Sequence, residues 1–160
     1  MTTPRVGILM GSKSDLGVMR EAARILERFE VAYEMKVLST HRIPEKTAHY
    51  AASAERRGLQ VLIAAAGGAA HLAGTLAAHS ILPVIGVPLA SSSLQGLDAL
   101  LSTVQMPAGV PVATMAIGKA GARNAALFAC QILGRWEPAL VDKLNRHRLQ
   151  MREEIENIKL

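Results

Sequence analysis

Three short stretches of this sequence carry side chains that could do chemistry. SerThrHisArg at 39–42 sets an imidazole beside a guanidinium, with hydroxyls on the two preceding residues. Histidine exchanges protons near neutral pH, and arginine grips phosphate through paired N–H groups. Acid/base work on a phosphorylated small molecule would suit that pairing. Taken alone, one histidine carries little specificity, and a surface-loop role accounts for His41 equally well. GlyGlyAlaAlaHis at 67–71 lets backbone approach a ligand closely and places His71 near the start of a helix. The commoner role of a histidine there is a structural hydrogen bond to a neighbouring loop. GlySerLysSerAsp at 11–15 offers hydroxyls, backbone N–H groups and a helix N-terminus, which together suit a phosphate. It has the spacing of neither a dinucleotide fingerprint nor a Walker loop, so neither NAD nor ATP follows. A helix cap by Ser14 or Asp15 is the plainer local reading.

The other reactive side chains point elsewhere. His49 and His79 fall on helical patterns and His147 on a charged terminal segment, all three consistent with solvated or packed positions. There is no HxxxH, HExxH or Cys/His cluster and no GxSxG elbow, so the sequence supports no metal site and no serine nucleophile of that class. The single Cys130, in AALFACQIL, lies on the apolar period of a buried helix face and reads as a core thiol.

What must position those stretches is an alternation of strands and helices. RVGILM (5–10) is a short apolar run, and Val18, Met19, Ala22, Ala23, Ile25, Leu26 and Phe29 follow at the spacing of one helix face. AYEMKVL (32–38) predicts a second strand. Pro44 then opens a helix that runs to Arg57, and Gly58 ends it. QVLIAAA (60–66) predicts a buried third strand, with a helix around 70–80 after it, and 83–88 predicts a fourth. Residues 91–96 lead into a short helix ending near Val104. VATMAI (112–117) predicts a fifth strand, Ala122–Leu133 a long helix, and Pro138 opens a charged amphipathic helix to the C-terminus. Such alternation implies right-handed crossovers and a parallel sheet covered on both faces, an α/β fold. In an open parallel sheet ligands bind beyond the carboxyl ends of the strands, which is where the three stretches fall.

Length and composition agree. The 160 residues suit one domain, 1–160, and apolar residues make up half of them; 26 are alanine and only five are aromatic. The core must therefore be built from small and branched side chains. Residues 59–97 carry no formal charge, but Gly67, Gly68, Gly74, Pro83, Gly86 and Pro88 interrupt them before a membrane-spanning helix could form. The N-terminus lacks the pattern of a secretion signal, which predicts a cytoplasmic location. The net charge of +5 is diffuse, with no Lys/Arg run interleaved with aromatics. That argues against nucleic acid and for a small anionic ligand. Between 61 and 134 only Asp98, Lys119 and Arg123 are formally charged, more apolar surface than one small domain need bury, and a symmetric oligomer would cover the surplus.

Six motifs, in order, resemble one family: 10–15 (MGSKSD), 39–44 (STHRIP), 66–72 (AGGAAHL), 82–88 (LPVIGVP), 104–112 (VQMPAGVPV) and 116–126 (AIGKAGARNAA). The sequence is similar to the 5-(carboxyamino)imidazole ribonucleotide mutases of bacterial purine biosynthesis (the class I PurE family), over roughly residues 5–150. The resemblance implies a flavodoxin-like three-layer α/β/α sandwich and a homo-octamer; the C-terminal helix, 137–160, is expected to pack between its subunits through Leu140, Val141, Leu144, Leu149 and Ile155. The resemblance also implies a shift of a carboxylate from an exocyclic nitrogen to ring carbon C4 that uses no cofactor. Carried over position by position, His41 is the acid/base and His71 supports the carboxylate or the CO2 formed from it. Ser12 and Asp15 contact the ribose phosphate region, Ser39 belongs to the same substrate loop, Arg42 binds the phosphate, and Gly68, Ala69 and Leu72 line the pocket. Thr40 stands where the family commonly has Ala, Ile43 where Thr is usual, Ala73 where Pro is usual and Ala65 where Gly is common. The related aminoimidazole ribonucleotide carboxylases, which use free CO2, are the alternative. A flavodoxin-like flavin or signalling module is a more distant one, resting on fold analogy alone.

Overall fold

The computed structural model describes residues 3–159. Five strands, β1 (Val6–Met10), β2 (Tyr33–Val37), β3 (Val61–Gly67), β4 (Val84–Leu89) and β5 (Ala113–Thr114), form one all-parallel sheet in the order β2-β1-β3-β4-β5. This is the flavodoxin-like doubly wound order, whose crossover direction reverses between β1 and β3. Six helices cover it: α1 (Leu16–Arg28), α2 (Pro44–Ala54), α3 (Leu72–His79), α4 (Leu97–Val104), α5 (Lys119–Gly134) and α6 (Pro138–Glu156).

Alternation along the strands sorts the core into two halves. Val6, Ile8 and Met10 of β1 and Val61, Ile63 and Ala65 of β3 pack with α1 and α5 on one face, and Leu9, Leu62 and Ala64 pack with α2 and α3 on the other. Small residues set the spacing between layers. A side chain at Gly7 would meet the Tyr50 hydroxyl at 2.6 Å, and one at Gly86 would meet Thr103 Cγ2 at 2.4 Å. Cys130 is fully buried in the α5 face of the core, and burial pushes its thiol up to about 12. A core thiol, as the sequence predicted, is what results.

Several boundaries differ from the sequence reading, each for a local reason. Asp15 is the N-cap residue of α1, as expected, but makes no side-chain cap bond there; the capping bonds belong to Ser12, which opens a 3-10 turn over Lys13–Asp15 before α1. β5 keeps only two residues of the predicted 112–117. Beyond it the Ala116 carbonyl lies only 1.6 Å from where a Cβ on Gly121 would sit, and Gly118, at φ 76°, turns the chain into α5 three residues before Ala122. α2 stops at Ala54 and continues as a 3-10 turn to Arg57, closed by Gly58 at φ 91°. In α6, Leu140 is buried and Leu144 packs on the chain's own core, while Val141, Leu149 and Ile155 stay exposed. His147, on the same helix, packs edge-on against Phe29.

Candidate functional site

The topology explains why distant loops meet. β2 and β3 flank β1, and the register sets Val37, Met10, Ala65 and Val87 side by side near the carboxyl ends of β2, β1, β3 and β4. Neighbouring strands are about 4.8 Å apart, so the loops after β1, β2 and β3 converge within a few side-chain lengths. Because α2 and α3 lie on the same face of the sheet, the chain leaving β2 and the chain leaving β3 turn toward each other.

Between them is a cavity of about 170 Å³, lined by Gly11, Ser12, Ser14 and Asp15 from the first loop, Ser39–Arg42 from the second, and Ala66, Gly67, Ala69, His71 and Leu72 from the third, with Ser91 beyond β4. The structure thus brings together eight of the nine site residues expected from sequence: Ser12, Asp15, Ser39, His41, Arg42, Ala69, His71 and Leu72. Gly68 is in the same loop but not in the wall. Its φ of 61° turns the chain away and its carbonyl accepts from Ser102 Oγ at 3.4 Å, so Gly67 takes the wall position. The tight approach there is real, since a Cβ on Gly67 would sit 1.6 Å from Ser91 Oγ.

At the centre of the site two imidazoles touch. His41 Nε2 and His71 Nδ1 are 2.8 Å apart, with the rings edge-on at 4.9 Å between centroids. Such a contact requires an N–H on one nitrogen and a lone pair on the other, so the pair holds a proton between two rings. His71 thus hydrogen-bonds a neighbouring loop, as its structural reading expects, and its partner is His41. Both side chains reach solvent, which leaves the pair open to a ligand.

The first loop is organised by a capping box. Ser12 Oγ accepts from the Ser14 N–H at 3.3 Å, and Asp15 Oδ2 accepts from the Ser12 N–H at 2.9 Å. The buried Asp15 carboxylate is thus held by backbone while it lines the cavity. Among the described residues Arg42 is the only Lys or Arg in the wall. Its Nε donates to Ser39 Oγ at 3.0 Å and its Nη2 to the Gly11 carbonyl at 3.0 Å, which ties the second loop to the first and fixes a cation at the cavity edge. Ser12, Ser14, Ser39 and Ser91 add hydroxyls, while the Thr40 hydroxyl is spent on Thr75. One cation, several hydroxyls and a proton-sharing histidine pair can hold a phosphorylated polar molecule and move a proton on it.

Sequence reasoning passed over Ser91, Ser102 and Thr75. Ser91 follows β4 as the other loops follow their strands, which was the available signal. Ser102, from α4, accepts from the Ala70 N–H at 3.1 Å and so anchors the glycine loop. Thr75 accepts from Thr40 Oγ1 at 2.8 Å and itself donates to the His71 carbonyl at 3.0 Å. A larger cavity of about 1000 Å³ lies at the opposite end of the sheet, where Ala77, Ile81, Leu82, Pro83, Val110 and Phe128 make its wall mostly apolar. It lacks the convergent polar groups a reaction needs. His79 borders that cavity, and His49 is exposed on α2.

Comparison with known proteins points the same way. The family model described as AIR carboxylase matches residues 5–154. The chain is 59% identical to the N5-carboxyaminoimidazole ribonucleotide mutase of Pyrococcus abyssi, covering 93% of this chain and 84% of that protein. It is 55% identical to the Vibrio cholerae protein of the same name, covering 94% and 93%. Among solved structures, PurE of Treponema denticola superposes with a TM-score of 0.85 at 28% identity, covering 95% of this chain and 94% of that one.

Proposed function

The chain belongs to the AIR carboxylase family, and from that premise we propose that it is an N5-carboxyaminoimidazole ribonucleotide mutase. It converts N5-carboxyaminoimidazole ribonucleotide into 4-carboxy-5-aminoimidazole ribonucleotide, an isomerisation in purine (IMP) biosynthesis. The observation that carries the residue-level reading is the 2.8 Å contact between His41 and His71 inside a cavity edged by Arg42.

The chemistry needs one proton moved twice. His41, as imidazolium, donates a proton to the carbamate nitrogen, and the N–C bond breaks to give the amine and CO2. Ring carbon C4, electron-rich through the amino group, then forms a C–C bond to that CO2. His41, now neutral, removes the C4 proton, which restores the aromatic ring and returns the histidine to its starting form. His71, already in contact with His41, orients it and faces the carboxylate. Arg42 holds the substrate phosphate, and Ser12, Ser39 and Asp15 engage the phosphate and ribose. Ala69 and Leu72, with Gly67, keep the wall small enough to retain CO2 beside the ring, and Gly68 only turns the loop behind them. No step calls for a metal, nucleotide or biotin.

The whole chain serves as one catalytic domain of a cytoplasmic homo-octamer. The cavity of about 170 Å³ supports assembly, since small-molecule sites enclose about 300–1,000 Å³ and a single subunit would leave part of a ribonucleotide uncovered. The exposed Ile81, Trp136, Leu149 and Ile155 also support it. A family described by carboxylase activity keeps use of free CO2 as the second reading. Supplying the purified protein with either the carboxyamino substrate or aminoimidazole ribonucleotide plus bicarbonate separates the two. Faster turnover of the first is the expected outcome, and faster turnover of the second would make the protein a carboxylase.

A further inference from the structure

We propose that Thr40 and Thr75 are positioning residues that clamp the loop bearing His41 to the helix led by His71. The inference rests on the mutase reading for its kinetic readout, but not for its geometry. Thr40 Oγ1 donates to Thr75 Oγ1 at 2.8 Å, Thr75 Oγ1 donates to the His71 carbonyl at 3.0 Å, and the Thr75 N–H donates to the same carbonyl at 2.9 Å. Thr40 immediately precedes His41, and His71 is the N-cap residue of α3, where it makes no side-chain cap bond. The chain of hydroxyls therefore joins the backbones of both histidines, 30 residues apart, through one bridge next to the atoms that must meet. Hydroxyl chains of this kind polarise one another, so the second bond strengthens the first.

The rest of the second loop is held differently. Arg42 is fastened to Ser39 and Gly11, on the side of the cavity facing the first loop. The Ile43 N–H donates to the Ser39 carbonyl, and Thr47 Oγ1 donates to the Ile43 carbonyl. These ties keep the phosphate handle in place without Thr40. Loss of the clamp should therefore disturb the distance between the imidazoles while leaving substrate affinity alone.

The test uses Thr40→Val, Thr75→Val, the double variant and Thr40→Ser in the intact protein. Either valine variant should lower kcat about tenfold with KM within about twofold, the cost of a small misplacement of reacting groups. The double variant should be no worse than the weaker single one, and Thr40→Ser should restore turnover. In parallel, the imidazole nitrogen resonances of His41 and His71 should move in both valine variants and return in Thr40→Ser. Unchanged kcat, additive losses, or a KM rise without a kcat loss would each overturn the clamp, as would imidazole resonances identical to those of the parent protein. If the parent protein fails to turn over the carboxyamino substrate, the mutase reading falls, and the resonances still decide the clamp.

Discussion

At the residue scale the account stands on His41. Replacing it with asparagine keeps a polar side chain of similar reach but no group that can take up and return a proton. His41→Asn is expected to lower kcat by more than about 100-fold with the far-ultraviolet spectrum and oligomeric state unchanged. Near-normal kcat would remove His41 from the mechanism. Arg42 should behave differently, because a phosphate handle away from the reacting atoms contributes binding that ground state and transition state share. Arg42→Ala should raise KM chiefly, read from initial rates across substrate concentration; a fall in kcat at constant KM would place the guanidinium on the transition state instead. Both side chains stood out in the sequence because SerThrHisArg sets an imidazole beside a guanidinium at a strand end, although the residues alone left His41 equally open to a surface-loop role. Their partners did not stand out. Thr75 lies 35 residues from Thr40 and Ser102 lies 32 residues from Ala70, and a lone hydroxyl on a helix gives no signal until the fold shows what it faces.

At the element scale the strands were legible for a simple reason: each is a short apolar run closed by Gly, Pro or Ser, with a helical period after it. The ends were harder, since they depend on contacts between elements. The capping bonds fall at Ser12 because the Asp15 carboxylate reaches back to the Ser12 N–H, and past Thr114 the chain keeps only separate bonds to β4, from the Met115 and Gly118 N–H groups, before Gly118 turns it into α5. A polar tie between elements also went unread. Glu34 on β2 accepts from Tyr50 on α2 at 2.6 Å and from Arg57 in the turn after α2 at 2.7 Å, and Arg57 stacks over the Tyr50 ring. Burial raises the Glu34 carboxyl, but the Tyr50 and Arg57 hydrogen bonds outweigh it and hold it below its ordinary value of 4.5. Burial, with the Glu34 hydrogen bond, pushes the Tyr50 hydroxyl upward. A carboxyl held low in the folded state stabilises the protein above its unfolded pKa, and that stability is lost as pH falls through the folded value. Glu34→Gln should therefore cost about 1–2 kcal/mol in urea unfolding at neutral pH, and the gap from the parent protein should close in acid. A gap that persists unchanged in acid would mean that shape, not charge, makes the tie.

At the scale of the whole molecule, the parallel sheet and its order follow from strand and helix alternation, whereas assembly does not show in any single element. The uncharged stretch between 59 and 97 folds in large part into β3, α3 and β4, which are the chain's own core. Apolar surface for a neighbour nevertheless remains in the low-charge block, where Ile81, Leu94, Leu97, Leu101 and Val104 are exposed. Ile81 is 88% and Trp136 82% exposed, and Ile155 near the end of α6 is 70% exposed. Light scattering should give eight chains per particle, and replacing Ile81 with a charged residue should lower that number while leaving the single-chain fold intact. A stable, active monomer would contradict the assembly. The central claim, however, is that one site cleaves the carbamate and recaptures the same CO2. The most direct measurement is a single turnover of substrate labelled in its carboxylate, run in excess unlabelled bicarbonate. The account predicts that the label passes to the C4 carboxylate of the product, and full dilution of the label into solvent bicarbonate would contradict it.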